Sequence, residues 1–179
     1  MEIERATESL WYALRVRTKC EKVVAGALTQ RDIHHYLPLY KTKTQWSDRV
    51  RTSFVPLFPG YVFAQFNHSQ LHRLVSVPDF MHIVGRGSVP EPIEESDIEA
   101  VRRVIASGTG VGPWTMCIAG QTVEVIRGPL AGVRGVVVRT KGHDRLIVSI
   151  PMMQRSVSTE IDSFNLRLVE EKLKTAAVA

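Results

Sequence analysis

The side chains with the most obvious chemical capacity are six histidines and two cysteines, and their spacing decides whether that capacity is organised. His68 and His72 stand four apart, as two metal ligands on one helical face would, and His34 with His35 could add two more. No acid or cysteine set completes such a site, so no metal centre is expected. Cys20 and Cys117 belong to no Cys-x-x-Cys pair and read as free thiols. There is neither a phosphate-cradling Gly-x-x-x-x-Gly-Lys loop nor a nucleophile elbow. Gly108, Gly110 and Gly112 lie where no strand precedes them and no helix follows. An enzyme is therefore not expected, and no cofactor is implied.

What the chain does concentrate is positive charge. Its 179 residues carry a formal net charge of +5, and nine Lys or Arg between Arg15 and Arg51 face only Glu21, Asp32 and Asp48. That excess favours a polyanionic neighbour, although a solvated basic face would have the same composition. The hydrophobic fraction of 44% is that of a globular chain. Glu2, Glu4 and Glu8 stand where a secretory leader would be basic, and no apolar run is long enough to span a bilayer, so the chain reads as cytoplasmic.

The elements that must position these groups fall into two halves. In the first, Leu10 to Arg17 alternates as a strand, with Leu10, Tyr12, Leu14 and Val16 on one face and Trp11, Ala13, Arg15 and Arg17 on the other. Thr18 could cap a helix running to about Gln30, with Val23, Val24, Ala27 and Leu28 as its apolar stripe. Tyr36 to Tyr40 looks extended, and Lys41 to Thr52 suits a hairpin tip or loop. Val55 to Phe66 then contains a Phe58-Pro59-Gly60-Tyr61 corner leading into a strand apolar on both faces: Tyr61, Phe63 and Gln65 on one, Val62, Ala64 and Phe66 on the other. A short helix is predicted over Ser69 to Val77 and a strand over Met81 to Val84. Ser96 and Glu99 match a capping box for a helix to about Ser107, with Ile98, Val101 and Ile105 buried. The order of elements predicts an α+β fold, an N-terminal antiparallel sheet with flanking helices.

Three glycines and a proline within Ser107 to Pro113 mark a hinge. The predicted organisation is an N-terminal domain over 1–107, a flexible linker over 108–116 and a C-terminal domain over 117–179. In the latter, Thr122 to Ile126, Gly135 to Thr140, Leu146 to Ile150 and Val157 to Ile161 alternate with turn signals and predict a small barrel of about five strands. Gly135 would let neighbouring strands approach closely.

Three stretches together resemble a known family: Trp11-Tyr12 opening the first strand, Pro56 to Phe63 around the Phe-Pro-Gly-Tyr corner, and Gly120 to Val137 with its Gly-Pro-Leu-Ala-Gly turn. They resemble NusG-like transcription elongation and antitermination factors, in which a NusG-type N-terminal domain is linked to an SH3-like KOW β-barrel. The wording Pro56-Leu57-Phe58-Pro59 is similar to specialised paralogs of the RfaH or LoaP/UpxY kind. The match runs from Leu10 to about Val169.

The resemblance implies that the N-terminal domain binds the clamp helices of bacterial RNA polymerase and holds the clamp closed, suppressing pausing and termination. It implies an apolar anchor of Phe58, Pro59, Tyr61 and Phe63, and a contact of His72 and Arg73 with the polymerase's far rim. There the chain reads His72-Arg73-Leu74 and keeps only the histidine of the related His-Thr-Thr. Arg15, Arg17 and Lys19 fall where the family approaches non-template DNA; nascent RNA is the other polyanion of an elongation complex. For the KOW domain it implies a small-subunit ribosomal protein or Rho as partner, through Met152, Met153 and Arg155. Gln154 replaces the usual glycine, which counts against Rho. No membrane contact is implied, and the chain is expected to be monomeric. The rival reading is a ribosome-associated or general RNA-binding KOW protein, which would leave the Phe-Pro-Gly-Tyr surface without a use.

Overall fold

The computed structural model describes residues 8–45, 50–86, 89–108, 111–114, 121–140, 143–150, 153, 155–162 and 165–169. The N-terminal part opens with β1 (Leu10–Val16), α1 (Glu21–Gln30), β2 (His34–Tyr36) and a hairpin of β3 (Leu39–Gln45) and β4 (Val50–Pro56). Next come β5 (Tyr61–Phe66), a 3-10 turn over His68–Gln70, α2 (Leu71–Val75), β6 (Phe80–Ile83), the small pair β7 (Gly85–Arg86) and β8 (Val89–Pro90), and α3 (Glu95–Ser107). β9 (Gly112–Trp114), β10 (Gln121–Val125), β11 (Arg134–Thr140), β12 (His143–Ile150), β13 (Arg155–Glu160) and β14 (Leu166–Leu168) complete the chain.

The central N-terminal sheet has the order β2-β5-β1-β6, and β1 runs antiparallel to β5 with Arg15 opposite Tyr61 and Ala13 opposite Phe63. Alternation along these two strands sends opposite sets of side chains to its two faces. On one face Leu14, Val16, Val62, Ala64 and Phe66 pack with Val24, Ala27 and Leu28 of α1 and Leu74 of α2. On the other, Trp11, Ala13 and Phe63 share a cluster with Leu57 and Phe58, with Ile98, Val101 and Val104 of α3, and with Val123, Leu146, Val148 and Val157 of the C-terminal strands. The sheet-and-helix architecture agrees with the α+β expectation.

Local starts differ from those read in the sequence. α1 is capped at Cys20, not Thr18, because Lys19 adopts a left-handed backbone at φ 74° and delays the first turn. α3 begins after Glu94 in extended conformation, so Ser96 is already helical and forms no cap; Ile105 is only half-buried and Val104 takes the core position. α2 is shorter than the predicted span, and the 3-10 turn ahead of it is closed by Asn67 N–H donating to Gln70 Oε1 at 3.1 Å.

The C-terminal strands form one six-stranded sheet in the order β14-β10-β11-β12-β13-β9. A Cβ on Gly135 would collide with the carbonyl oxygen of Ile147 on β12, so only glycine fits where β11 and β12 pass. β9 lies inside the span predicted to be an unstructured linker. Its backbone pairs with β13, Ser156 opposite Trp114 and Ser158 opposite Gly112, satisfying an edge the sheet would otherwise leave open. α3 touches this sheet: Arg103 Nη1 donates to Ala131 O at 2.8 Å, and Ser107 Oγ stands 3.4 Å from Thr159 Oγ1.

Candidate functional site

The Pro59–Gly60 corner is fixed on both sides. Gly60 adopts φ 81°, and its N–H donates to Glu21 Oε1 at 2.7 Å while its carbonyl accepts from Val16 N–H at 2.9 Å. Glu21 is only 3% exposed, and its place in the first turn of α1 gives its carboxylate the positive end of the helix as well as the Gly60 amide. The corner therefore presents Tyr61 at a defined height beside β1.

Tyr61 is half-buried, and the Arg15 guanidinium lies 4.7 Å from its ring centre. Arg155, from β13, lies 5.8 Å from the same ring. Residues expected in two separate partner sites thus meet on one tyrosine. Neither arginine forms an ion pair among the described residues.

The other expected anchors are distributed differently. Pro59 is exposed, but Phe58 is 2% exposed and Phe63 is fully buried, edge-on to one another at 5.7 Å, beneath α3 and the C-terminal sheet. The expectation that both face a partner meets a covered face, because α3 supplies Ile98, Val101 and Val104 over it. His72 and Arg73 are exposed on α2, which packs on the opposite side of the sheet. His72 Nδ1 bonds Ser69 O at 2.7 Å, so these two residues are not brought together with Tyr61. Arg17 and Lys19 are exposed just beyond Arg15, Arg17 pairing with Asp79 at 3.3 Å. Met153 is buried in the shared cluster, and Met152 lies outside the described residues.

Sequence reasoning passed over a second cation and ring assembly. Arg102 on α3 lies 4.9 Å from the Tyr36 ring and 5.4 Å from the Trp11 ring, and its Nη1 pairs with Glu99 Oε1 at 2.5 Å. Burial pushes the Tyr36 hydroxyl up to about 12, the nearby Glu99 carboxylate adding to this and Arg102 opposing it. An arginine four residues after an apolar helix position carries no signal by itself; only the fold places it over Trp11. Glu21 was equally silent, since an acid at a helix start is ordinarily solvent-facing. The Cys20 thiol is pushed up by partial burial and by the Asp79 carboxylate beside it, the reverse of an activated nucleophile. Cys117 lies outside the described residues. No cluster of three metal-ligating side chains occurs among the described residues, and no helix among them is long and apolar enough to cross a membrane.

A clamped aromatic corner, basic side chains around it and two β-rich units define a binding protein that works by contact. The profile described as transcription termination factor nusG matches residues 9–102, and the KOW motif matches 119–150. The transcription termination/antitermination protein NusG of Pseudomonas aeruginosa is 30% identical over 166 residues, covering 85% of this chain and 94% of that protein. NusG of Helicobacter pylori is 24% identical over 162 residues, covering 89% of this chain and 86% of the relative. A solved NusG structure from Thermotoga maritima, described for its domain interaction, superposes with a TM-score of 0.57 at 20% identity, covering 92% of this chain and 99% of that one, a likeness of fold. The chain belongs to the NusG family of transcription termination/antitermination factors, which are not enzymes.

Proposed function

We propose that this chain is a specialised antiterminator that binds the clamp helices of bacterial RNA polymerase, holds the clamp closed and suppresses pausing and termination. The domains are 1–107 for polymerase binding and 117–179 for a KOW partner, joined through 108–116, and the protein acts as a cytoplasmic monomer. The observation that carries the reading is the Glu21-clamped corner, which holds Tyr61 and Pro59 at the surface beside the basic end of β1. A half-buried tyrosine on a rigid corner supplies contact area with little entropy to lose on binding. A ligand that prefers the closed, elongating state raises the closed fraction by its differential affinity, with no bond made or broken.

Tyr61 and Pro59 make the first apolar contact, and engaging Phe58 and Phe63 as well would require their cover to part. His72 and Arg73 reach a separate part of the polymerase from the far side of the sheet. Arg15, Arg17 and Lys19 meet the non-template strand, adding a salt-dependent phosphate contribution. Arg155 and Met152 form the KOW partner surface, which Met153, buried in the shared cluster, would join only if that cluster opened, and a small-subunit ribosomal protein suits the altered tip better than Rho.

Tyr61→Ala is expected to weaken polymerase binding about tenfold or more while leaving the urea midpoint nearly unchanged. Val62→Asp, on the fully buried opposite face, should cost about 4 kcal/mol or more and unfold the domain. In transcription through a terminator in vitro, added protein should increase readthrough. Increased Rho-dependent termination would instead assign a housekeeping role. Tight binding to ribosomes or naked RNA without polymerase binding would assign the general RNA-binding alternative.

A further inference from the structure

We infer that Arg15, Tyr61 and Arg155 together form a composite site for the phosphodiester backbone of a single-stranded nucleic acid, shared between the N-terminal and C-terminal units. It extends the nucleic-acid part of the reading above to a residue of the KOW unit, and rests on that reading. Two guanidiniums from different units converge on one ring, at 4.7 and 5.8 Å from its centre. The ring's negative face attracts each of them, but it carries no net charge and cannot neutralise both. Among the described residues Arg17 has Asp79, Arg86 has Glu91, and Arg134 and Arg167 share Glu124, whereas Arg73, Arg103 and Arg127 are exposed singly with no ion pair and no second guanidinium on a shared ring. At Tyr61 neither arginine has a carboxylate within ion-pair distance among the described residues, and the nearby Glu21 carboxylate accepts from the Gly60 N–H, so two like charges share one ring without a paired counter-ion.

A phosphodiester supplies that counter-ion. Guanidinium presents planar, fixed donors to phosphate oxygens, and the half-buried tyrosine ring holds the donors in orientation. Lys19, exposed in the turn after β1, extends the cationic track for a strand longer than one nucleotide, and Arg17 can join it by exchanging Asp79 for a phosphate. Because one arginine comes from each unit, an anion bound between them favours the arrangement in which the units touch, by its differential affinity for that arrangement.

The test is titration of the full chain, without polymerase, with an oligothymidylate of about 12 nucleotides across a range of salt. Arg155→Ala and Arg15→Ala should each weaken binding about fivefold at about 0.1 M salt and make the log–log salt slope shallower by about 0.7. Arg155→Lys should restore part of the slope and little of the affinity, since it keeps the charge without the planar fork. Tyr61→Phe should bind as the parent does, whereas Tyr61→Ala should lose as much as either arginine variant, an effect that charge counting alone would not produce. The double variant Arg15→Ala/Arg155→Ala should lose less than the product of the single losses, as partners on one site do. Arg127→Ala, an exposed cation at the end of β10, is the control for general charge.

If Arg155→Ala binds no worse than Arg127→Ala while Arg15→Ala is impaired, the composite site is wrong and the earlier assignment of Arg15 stands. If neither arginine matters, both fall. Equal competition by oligouridylate assigns the recognition to the shared backbone, and preference for one sugar assigns it to DNA or RNA; either supports the site. Competition by tripolyphosphate with no binding of either oligonucleotide would overturn it.

Discussion

Two arginine and aromatic assemblies sit on the same face of this molecule and differ in one respect. Arg102 lies over Trp11 and Tyr36 and has Glu99 as counter-ion; Arg15 and Arg155 lie over Tyr61 and form no ion pair among the described residues. In the first the charge is closed by its counter-ion and lies against both rings, although the buried Trp11 Nε1–H has no hydrogen-bond partner among the described residues, and the assembly fastens α3 to the sheet. The second leaves its charge open to a partner. On the inference drawn above, the same residue types fasten in one place and recognise in the other, and the counter-ion separates the two uses.

Arg102→Ala is the change that should distinguish them most, costing about 2 kcal/mol in urea denaturation, chiefly from two lost ring contacts and the packing of the side chain on them, since the partly exposed Glu99 is rehydrated. The equivalent change at Arg155 should be nearly neutral for stability, so comparable losses at both would erase the distinction. Gly60→Ala should come next, at about 1–2 kcal/mol, from a side chain forced into a left-handed backbone and a Cβ placed 2.7 Å from Arg15 Nη1. Its diagnostic is nucleic-acid or polymerase binding, which should fall beyond what the stability loss explains, since Arg15 must move off Tyr61.

The smallest effect tests the closed assembly by pH. Tyr36 keeps its proton to about pH 12 in the folded chain, against 10.0 when unfolded. Its contribution is therefore fully present below pH 10 and is lost as pH rises toward 12. Two units correspond to at most about 2.7 kcal/mol, and for a half-buried hydroxyl about 1–2 kcal/mol is expected after solvent screening. Tyr36→Phe should flatten the decline in stability between pH 10 and 12, and an unchanged decline would mean that the hydroxyl is not held by burial.

Much of the frame was legible because it is written in short-range patterns. Alternation placed Val62, Ala64 and Phe66 under the helices, and the C-terminal strands fall within a few residues of their predicted spans. The opposite face was misjudged for a physical reason: alternation tells which side chains share a face, not what covers it. Phe63 is buried by α3 residues more than thirty positions later, a contact that periodicity does not encode. Helix starts failed similarly. Thr18 and Ser96 have the right side chains for capping, but the left-handed Lys19 and the extended Glu94 set the first turns. The meeting of Arg15 and Arg155 on Tyr61 depends on how two sheets pack, and no single stretch carries it.

β9 changes the mechanics of the junction. α3 ends at Ser107 and β9 starts at Gly112, so while β9 stays zipped to β13 the leash between the units is residues 108–111, about 14 Å at full stretch. On so short a leash each unit sees the other at an effective concentration in the millimolar range or above, whatever the amount of protein in solution. Association of the two is then a unimolecular equilibrium, indifferent to dilution. It yields to a competitor for the shared surface, or to unzipping of one three-residue strand, which would lengthen the leash in a single step.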